Sequence, residues 1–140
     1  MTLYVETSAV LAWLLGEQDG TAVTETIDRA DTVVSSTLTL LETERSLSRA
    51  VMTSVLTDAD RAVLRGVFAR QHCGWELMEI TSAVRVRAQN AFLVEPVRSL
   101  DAIHLATALA FAEAFGPVSV LSLDERITRN TTPLGLLSPT

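Results

Sequence analysis

The chain has 140 residues, 48% of them apolar, with eleven basic against seventeen acidic side chains and a formal charge of −6. That length buries roughly two-thirds of an unfolded chain's surface, so one ordinary core spanning residues 1–140 is expected, and the single Cys73 excludes an internal disulfide framework. A pI near 4.8 argues against non-specific adhesion to DNA or an anionic membrane. The longest apolar run, Ala9 to Leu15, falls far short of the ~20 residues that span a bilayer. No basic leader with a small-residue cleavage site precedes it, and a cytoplasmic location is expected.

Leu3-Tyr4-Val5 is short and β-prone, and it leads into a helical run from about Ser8 to Gly16. Thr21–Ala30 carries a weaker helical pattern, and Thr32-Val33-Val34 reads as a second strand. Long helical patterns follow over Thr37–Met52 and Asp58–Gln71, after which Trp75–Ile80 alternates like a strand. A helix is expected over Ala83–Leu93, closed by Pro96, whose ring and missing N–H cannot continue it. Ser99 reads as the N-cap of a helix reaching Phe115, ended by Gly116-Pro117. Val118–Leu123 is the most strand-like stretch. Strands separated by helices predict an α/β fold, a parallel sheet with helices on both faces, with strand order left open.

In such sheets ligands bind at the carboxyl ends of the strands, and two acids occupy that kind of position. Glu6 follows Leu3-Tyr4-Val5 and precedes an apolar run, where a charge needs a partner or a cation; a helix N-terminus also favours an acid there. Asp124 follows the last strand and reads either as a site residue or as a cap for Glu125 to Arg129. Asp101 lies in the first turn of an otherwise apolar helix. Glu42 shares a helix face with Arg45 and Arg49, so a surface ion pair is the plain account of it; Glu44 points elsewhere. His104, three residues after Asp101, shares its face and reads either as packed or as supporting that acid. His72-Cys73 has no partner pair at zinc spacing, and no GxGxxG, Walker loop or G-x-S-x-G occurs.

Taken in order, the four acids carry a resemblance. Tyr4-Val5-Glu6-Thr7-Ser8-Ala9-Val10-Leu11 resembles the strand-acid-Thr-Ser-Ala opening of PIN-domain ribonucleases. Thr39-Leu40-Leu41-Glu42-Thr43-Glu44-Arg45 resembles their second acidic motif, an acid in a long helix followed three residues on by Arg. Arg98-Ser99-Leu100-Asp101-Ala102-Ile103-His104-Leu105-Ala106-Thr107-Ala108 resembles the third, and Leu121-Ser122-Leu123-Asp124-Glu125-Arg126 the fourth. The resemblance spans essentially the whole chain, whose length is similar to that of toxins of VapBC-type toxin–antitoxin pairs. One departure is that the family's first acid is usually Asp, where this chain has Glu6.

The resemblance implies a metal-dependent endoribonuclease in which Glu6, Glu42, Asp101 and Asp124 carry the metal, with Ser8 and Ser122 orienting carboxylates or waters. It also implies an RNA substrate, a small antitoxin whose C-terminal segment enters a hydrophobic groove, and a homodimer. Two charges ~5 Å apart at an effective dielectric near ~20 repel by about 3 kcal/mol, so four gathered acids with no Lys or Arg among them call for a divalent cation. All-oxygen ligation selects Mg²⁺ or Mn²⁺. Replacing Asp101 by Asn is then expected to abolish activity while relieving repulsion, leaving the fold at least as stable. Arg85, Arg87 and Arg98 could hold phosphates, or be plain surface charges. A catalytically weak RNA-binding module and a metal-independent interaction protein are the competing readings, separated by metal titration and by RNA turnover.

Overall fold

Four parallel strands form the centre of the molecule, of which a computed structural model describes residues 1–140. They are β1 (Thr2–Val5), β2 (Thr32–Ser36), β3 (Glu76–Met78) and β4 (Val118–Leu121), in the spatial order β3-β2-β1-β4. Tyr4 lies opposite Val34 on one side and Val120 on the other. The chain lays β2 and β3 successively on one side of β1, then crosses over to place β4 on the other. The order therefore reverses at β1, and the crevice beyond the carboxyl ends of β1 and β4 is where a sheet of this kind opens a site.

Alternation along β1 divides the core. Leu3 and Val5 pack with Val10, Leu14, Val23, Ile27, Phe68 and Trp75 on one face; Tyr4 packs with Leu105, Phe111, Val120 and Ile127 on the other. The first face is covered by α1 (Thr7–Leu14), α2 (Gly20–Asp28) and α4 (Asp58–His72), and the second by α6 (Ser99–Phe115) and α7 (Glu125–Thr131). Helices on both faces of a parallel sheet agree with the sequence pattern. The long α3 (Thr37–Met52) also runs as expected, with Ser36 Oγ accepting from the Leu38 N–H at 3.0 Å. Gly20 permits the close approach of α2 to α1, since a Cβ there would lie 2.7 Å from the Ala12 carbonyl oxygen.

Several boundaries differ. Helix α5 covers only Ser82–Ala88, so Pro96 does not close it. The chain from Gln89 to Arg98 is irregular because side chains satisfy its backbone. The fully buried Asn130 accepts from the Val94 N–H (3.0 Å) and donates to the Val94 carbonyl (2.8 Å), and Glu95 accepts from Phe92 and Val97. Ser99 is the first residue of α6, not its cap. Asp101 instead reaches back to accept from the Arg98 N–H at 3.1 Å. Strands β3 and β4 are each shorter than their apolar runs, and β4 gains an outer neighbour, since Leu137 donates to Val118 and accepts from Val120, both at 2.9 Å. No helix is long and apolar enough to cross a membrane.

Candidate active site

Glu6 stands where β1 ends and α1 begins, and its backbone N–H donates to Leu121 of β4 at 3.0 Å. The carboxylate is buried, and the hydrogen bonds it accepts all fall on Oε2. Ser8 N–H gives 3.0 Å and Ser122 Oγ 2.7 Å, and the Ser8 hydroxyl makes a further, very short contact. The two serine oxygens accept in turn from Leu123 N–H (2.8 Å) and Asp124 N–H (3.1 Å). Ser8 and Ser122 therefore fix one carboxylate oxygen and the turn that leaves β4. Glu6 Oε1 keeps only His104 Nε2, 3.8 Å away.

Glu42 comes to the same place from α3. Its Oε1 accepts from Thr7 Oγ1 at 2.7 Å and from His104 Nε2 at 2.6 Å, leaving Oε2 open. The surface ion pair with Arg45 or Arg49 does not form; Glu44, two residues on, holds a surface pair with Arg65 at 2.9 Å. Buried His104 has Nδ1 2.8 Å from the hydroxyl of buried Tyr4. Burial, followed by the charges of Glu6 and Glu42, pushes the Tyr4 hydroxyl well above 10.0, so it keeps its proton beside Nδ1. His104 Nε2 carries a proton and donates to Glu42, an assignment that follows because a carboxylate only accepts. Burial pushes the Glu42 carboxyl up, but the hydrogen bonds from His104 and Thr7, with the charge interaction with His104, outweigh it and hold the group below 4.5.

One ligand atom each from Glu6, Glu42 and His104 lies within 4.8 Å of the others. With the His104 proton committed to Glu42, the available donors are the two open carboxylate oxygens. Each acid has one oxygen held by the protein and one without a hydrogen bond, a set that fits a hard divalent ion such as Mg²⁺ or Mn²⁺.

Asp101 and Asp124 are placed differently. Asp101 lies in the first turn of α6, and Asp124 caps α7, its Oδ1 accepting from the Arg126 N–H at 2.9 Å. The Arg126 side chain then reaches both, with Nε 3.2 Å from Asp101 Oδ2 and Nη2 3.3 Å from Asp124 Oδ2. The structure thus brings Glu6 and Glu42 together and holds Asp101 and Asp124 on a guanidinium. That corrects the expectation of an acidic cluster with no Arg in it. Ser8, Asp124, Arg126 and Arg129 line an open depression of about 600 Å³ beside these acids.

Sequence reading missed Arg126, Tyr4 and Thr7, and left His104 undecided. A signal was available for Arg126, two residues after a capping acid in the first turn of a helix. None was available for Tyr4, whose hydroxyl is used only because α6 brings His104 beneath β1.

Residues 3–131 match the PIN domain, and the chain belongs to that family. A more particular likeness is to a chain in the crystal structure of VapBC2 from Rickettsia felis bound to a DNA fragment from their promoter. It covers 99% of this chain and 98% of that one, with a TM-score of 0.65 at 12% identity, which shows a shared fold. No curated protein sequence matches the chain.

Proposed function

We propose that the protein is a Mg²⁺- or Mn²⁺-dependent endoribonuclease acting in the cytoplasm as the toxin of a toxin–antitoxin pair. The observation that carries this is the pair Glu6 and Glu42 at the strand-order reversal, each with one carboxylate oxygen anchored by the protein and the other open. Four acids remain the proposed catalytic set: Glu6 and Glu42 hold the ion, while Asp101 and Asp124 flank the strand beside it. When bound, the ion supplies a Lewis acid that makes water a nucleophile and offsets negative charge at the phosphate.

The chain's own residues prepare that chemistry. Ser8 and Ser122 keep the Glu6 carboxylate from rotating, and Thr7 with His104 do the same for Glu42. His104, with its proton on Glu42, is not free to deprotonate a ribose 2′-hydroxyl. Cleavage by water therefore leaves 5′-phosphate and 3′-hydroxyl ends.

The toxin role is supported by the likeness, over nearly the whole of both chains, to a structure described as a VapBC2 complex. Exposed Leu41 on α3 and Leu100 on α6, each next to one of the acids in sequence, give a small antitoxin apolar contacts. A homodimer is proposed with it, on the family resemblance. The test is incubation of the purified chain with RNA in EDTA, then with Mn²⁺ restored, followed by analysis of the cut ends. Cleavage only with metal, giving 5′-phosphates, is expected. Cutting by metal-free protein, or 2′,3′-cyclic phosphate ends, overturns the proposal.

A further inference from the structure

Glu42 shares one face of α3 with Arg45 and Arg49, three and seven residues on, yet the ion pair that this spacing invites does not form. The Glu42 carboxylate turns to Thr7 and His104 instead, and Glu44, the next acid along α3, is taken by Arg65. Arg45 and Arg49 are both exposed, and no ion pair in the molecule includes either. At about 100° per residue, Glu42, Arg45 and Arg49 fall within an arc of about 60°. A rise of ~1.5 Å per residue puts the two arginines about 4.5 and 10.5 Å beyond the acid along the helix axis. Met52 continues the ridge and is 85% exposed, whereas Leu38, Thr43 and Leu47 on the other side of α3 are buried. The helix dipole accounts for Arg49, in the last turn of α3, but gives no reason for Arg45.

We infer that the ridge of Arg45 and Arg49 is the track on which single-stranded RNA runs outward from the acidic site. Each guanidinium holds one of two consecutive phosphates, and Met52 gives apolar surface to an unstacked base. This rests on the nuclease reading and adds to it the path of the strand. An RNA cut beside Glu42 has to continue over a neighbouring surface, and α3 both delivers Glu42 and carries the two arginines away from it. Their separation of about 6 Å along the axis is comparable to the phosphate repeat of an extended strand, and long side chains take up the difference. A planar, permanently charged group suits a phosphodiester oxygen, and an arginine with no acidic partner gives up nothing to bind one. Such contacts position a strand without reading its sequence. A chain of charge −6 has no long-range attraction for RNA, so unpaired cations in line with the site are what can hold the strand there.

The experiment compares the parent with Arg45→Gln, Arg49→Gln, the double glutamine variant and the double lysine variant. Affinity for a labelled oligouridine is measured in EDTA across a salt series. The slope of log affinity against log salt should fall by about 0.7 in each single variant and by about twice that in the double glutamine one, the amount for lost phosphate contacts on a single strand. The double lysine variant keeps the charges and should keep the parent's slope, which a merely structural pair of arginines would not require. With Mn²⁺ restored, hydrolysis of bis(p-nitrophenyl) phosphate, too small to reach the ridge, should be equal in all the proteins. For the oligonucleotide, KM should rise several-fold in the double glutamine variant with kcat unchanged. Equal salt slopes in the parent and the double glutamine variant overturn the proposal and leave the ridge to a protein partner. A fall in kcat with KM unchanged also overturns it. Both results leave the nuclease reading standing, since the parent still hydrolyses the small ester. A parent that turns over neither substrate with Mn²⁺ removes that reading, while the slopes in EDTA still decide whether the ridge holds RNA.

Discussion

Glu6 and Glu42 are held by hydroxyls, a backbone N–H and an imidazole, whereas Asp101 and Asp124 meet a guanidinium, although all four acids converge on one end of the sheet. Hydroxyls and a backbone N–H fix a carboxylate in place but leave its charge in force. A guanidinium fixes it and cancels the charge. The first pair has no guanidinium beside it, and the second shares one. Asp124 has both oxygens on Arg126, whereas Asp101, like Glu6 and Glu42, has its hydrogen bonds on one oxygen and the other open.

The contrast breaks most easily at Glu6. Glu6→Gln keeps an oxygen for the two serines and removes the charge, so turnover at saturating Mn²⁺ should fall about a thousandfold or more, with the melting temperature in EDTA unchanged or raised. Parent-level cleavage by this variant would mean that Glu6 holds no ion.

Asp101→Asn should lower turnover about a hundredfold. Sequence alone predicts that it also relieves repulsion and leaves the fold at least as stable. Arg126 reverses that half, since the substitution strips the guanidinium of one partner at 3.2 Å. A loss on the order of 1 kcal/mol in a denaturant melt without metal is expected.

His104→Leu removes the donor that orients Glu42, and Mn²⁺ affinity by calorimetry should drop about 10- to 100-fold, with His104→Gln recovering part of it. Equal losses in both variants would make His104 a ligand instead. Glu42→Gln has a smaller effect that depends on pH. A native carboxyl held below 4.5 stabilises the fold above that value, and the contribution is lost as pH falls through the native value. The parent should thus exceed Glu42→Gln in stability near neutral pH and converge with it in acid, as read from melts across pH. The smallest change is Glu6→Asp. The shorter side chain draws back from a position built around Glu, and cleavage should fall only several-fold. A faster Glu6→Asp enzyme would show that the extra methylene is not accommodated.

Short-range signals carried most of the fold. Apolar runs such as Val118–Leu121 and the uninterrupted helical pattern of Thr37–Met52 are each legible within one window. Strand order was not, because the step from β3 to β4 across β1 is fixed by tertiary packing. Helix α5 was over-extended because residues 89–93 look helical locally, while Asn130, far along the chain, claims Val94. At the site, Glu6, Glu42, Asp101 and Asp124 were found through motif resemblance. Their partition was hidden, because it depends on where two other side chains end up. His104 reaches Glu42 across 62 positions, and Arg126 reaches back 25 to Asp101.

The segment that pairs Leu137 with β4 has a consequence for self-association. A strand at the rim of a sheet offers open N–H and C=O groups that can recruit another copy of itself. At one rim of this sheet β3 is only three residues long, and at the other Leu137 occupies the Val118 carbonyl and the Val120 N–H. Leu136, buried against Val118 and Val120, pins that plug down. Trimming residues 136–140 would uncover the Val118 carbonyl and the Val120 N–H and favour copies that pair edge to edge.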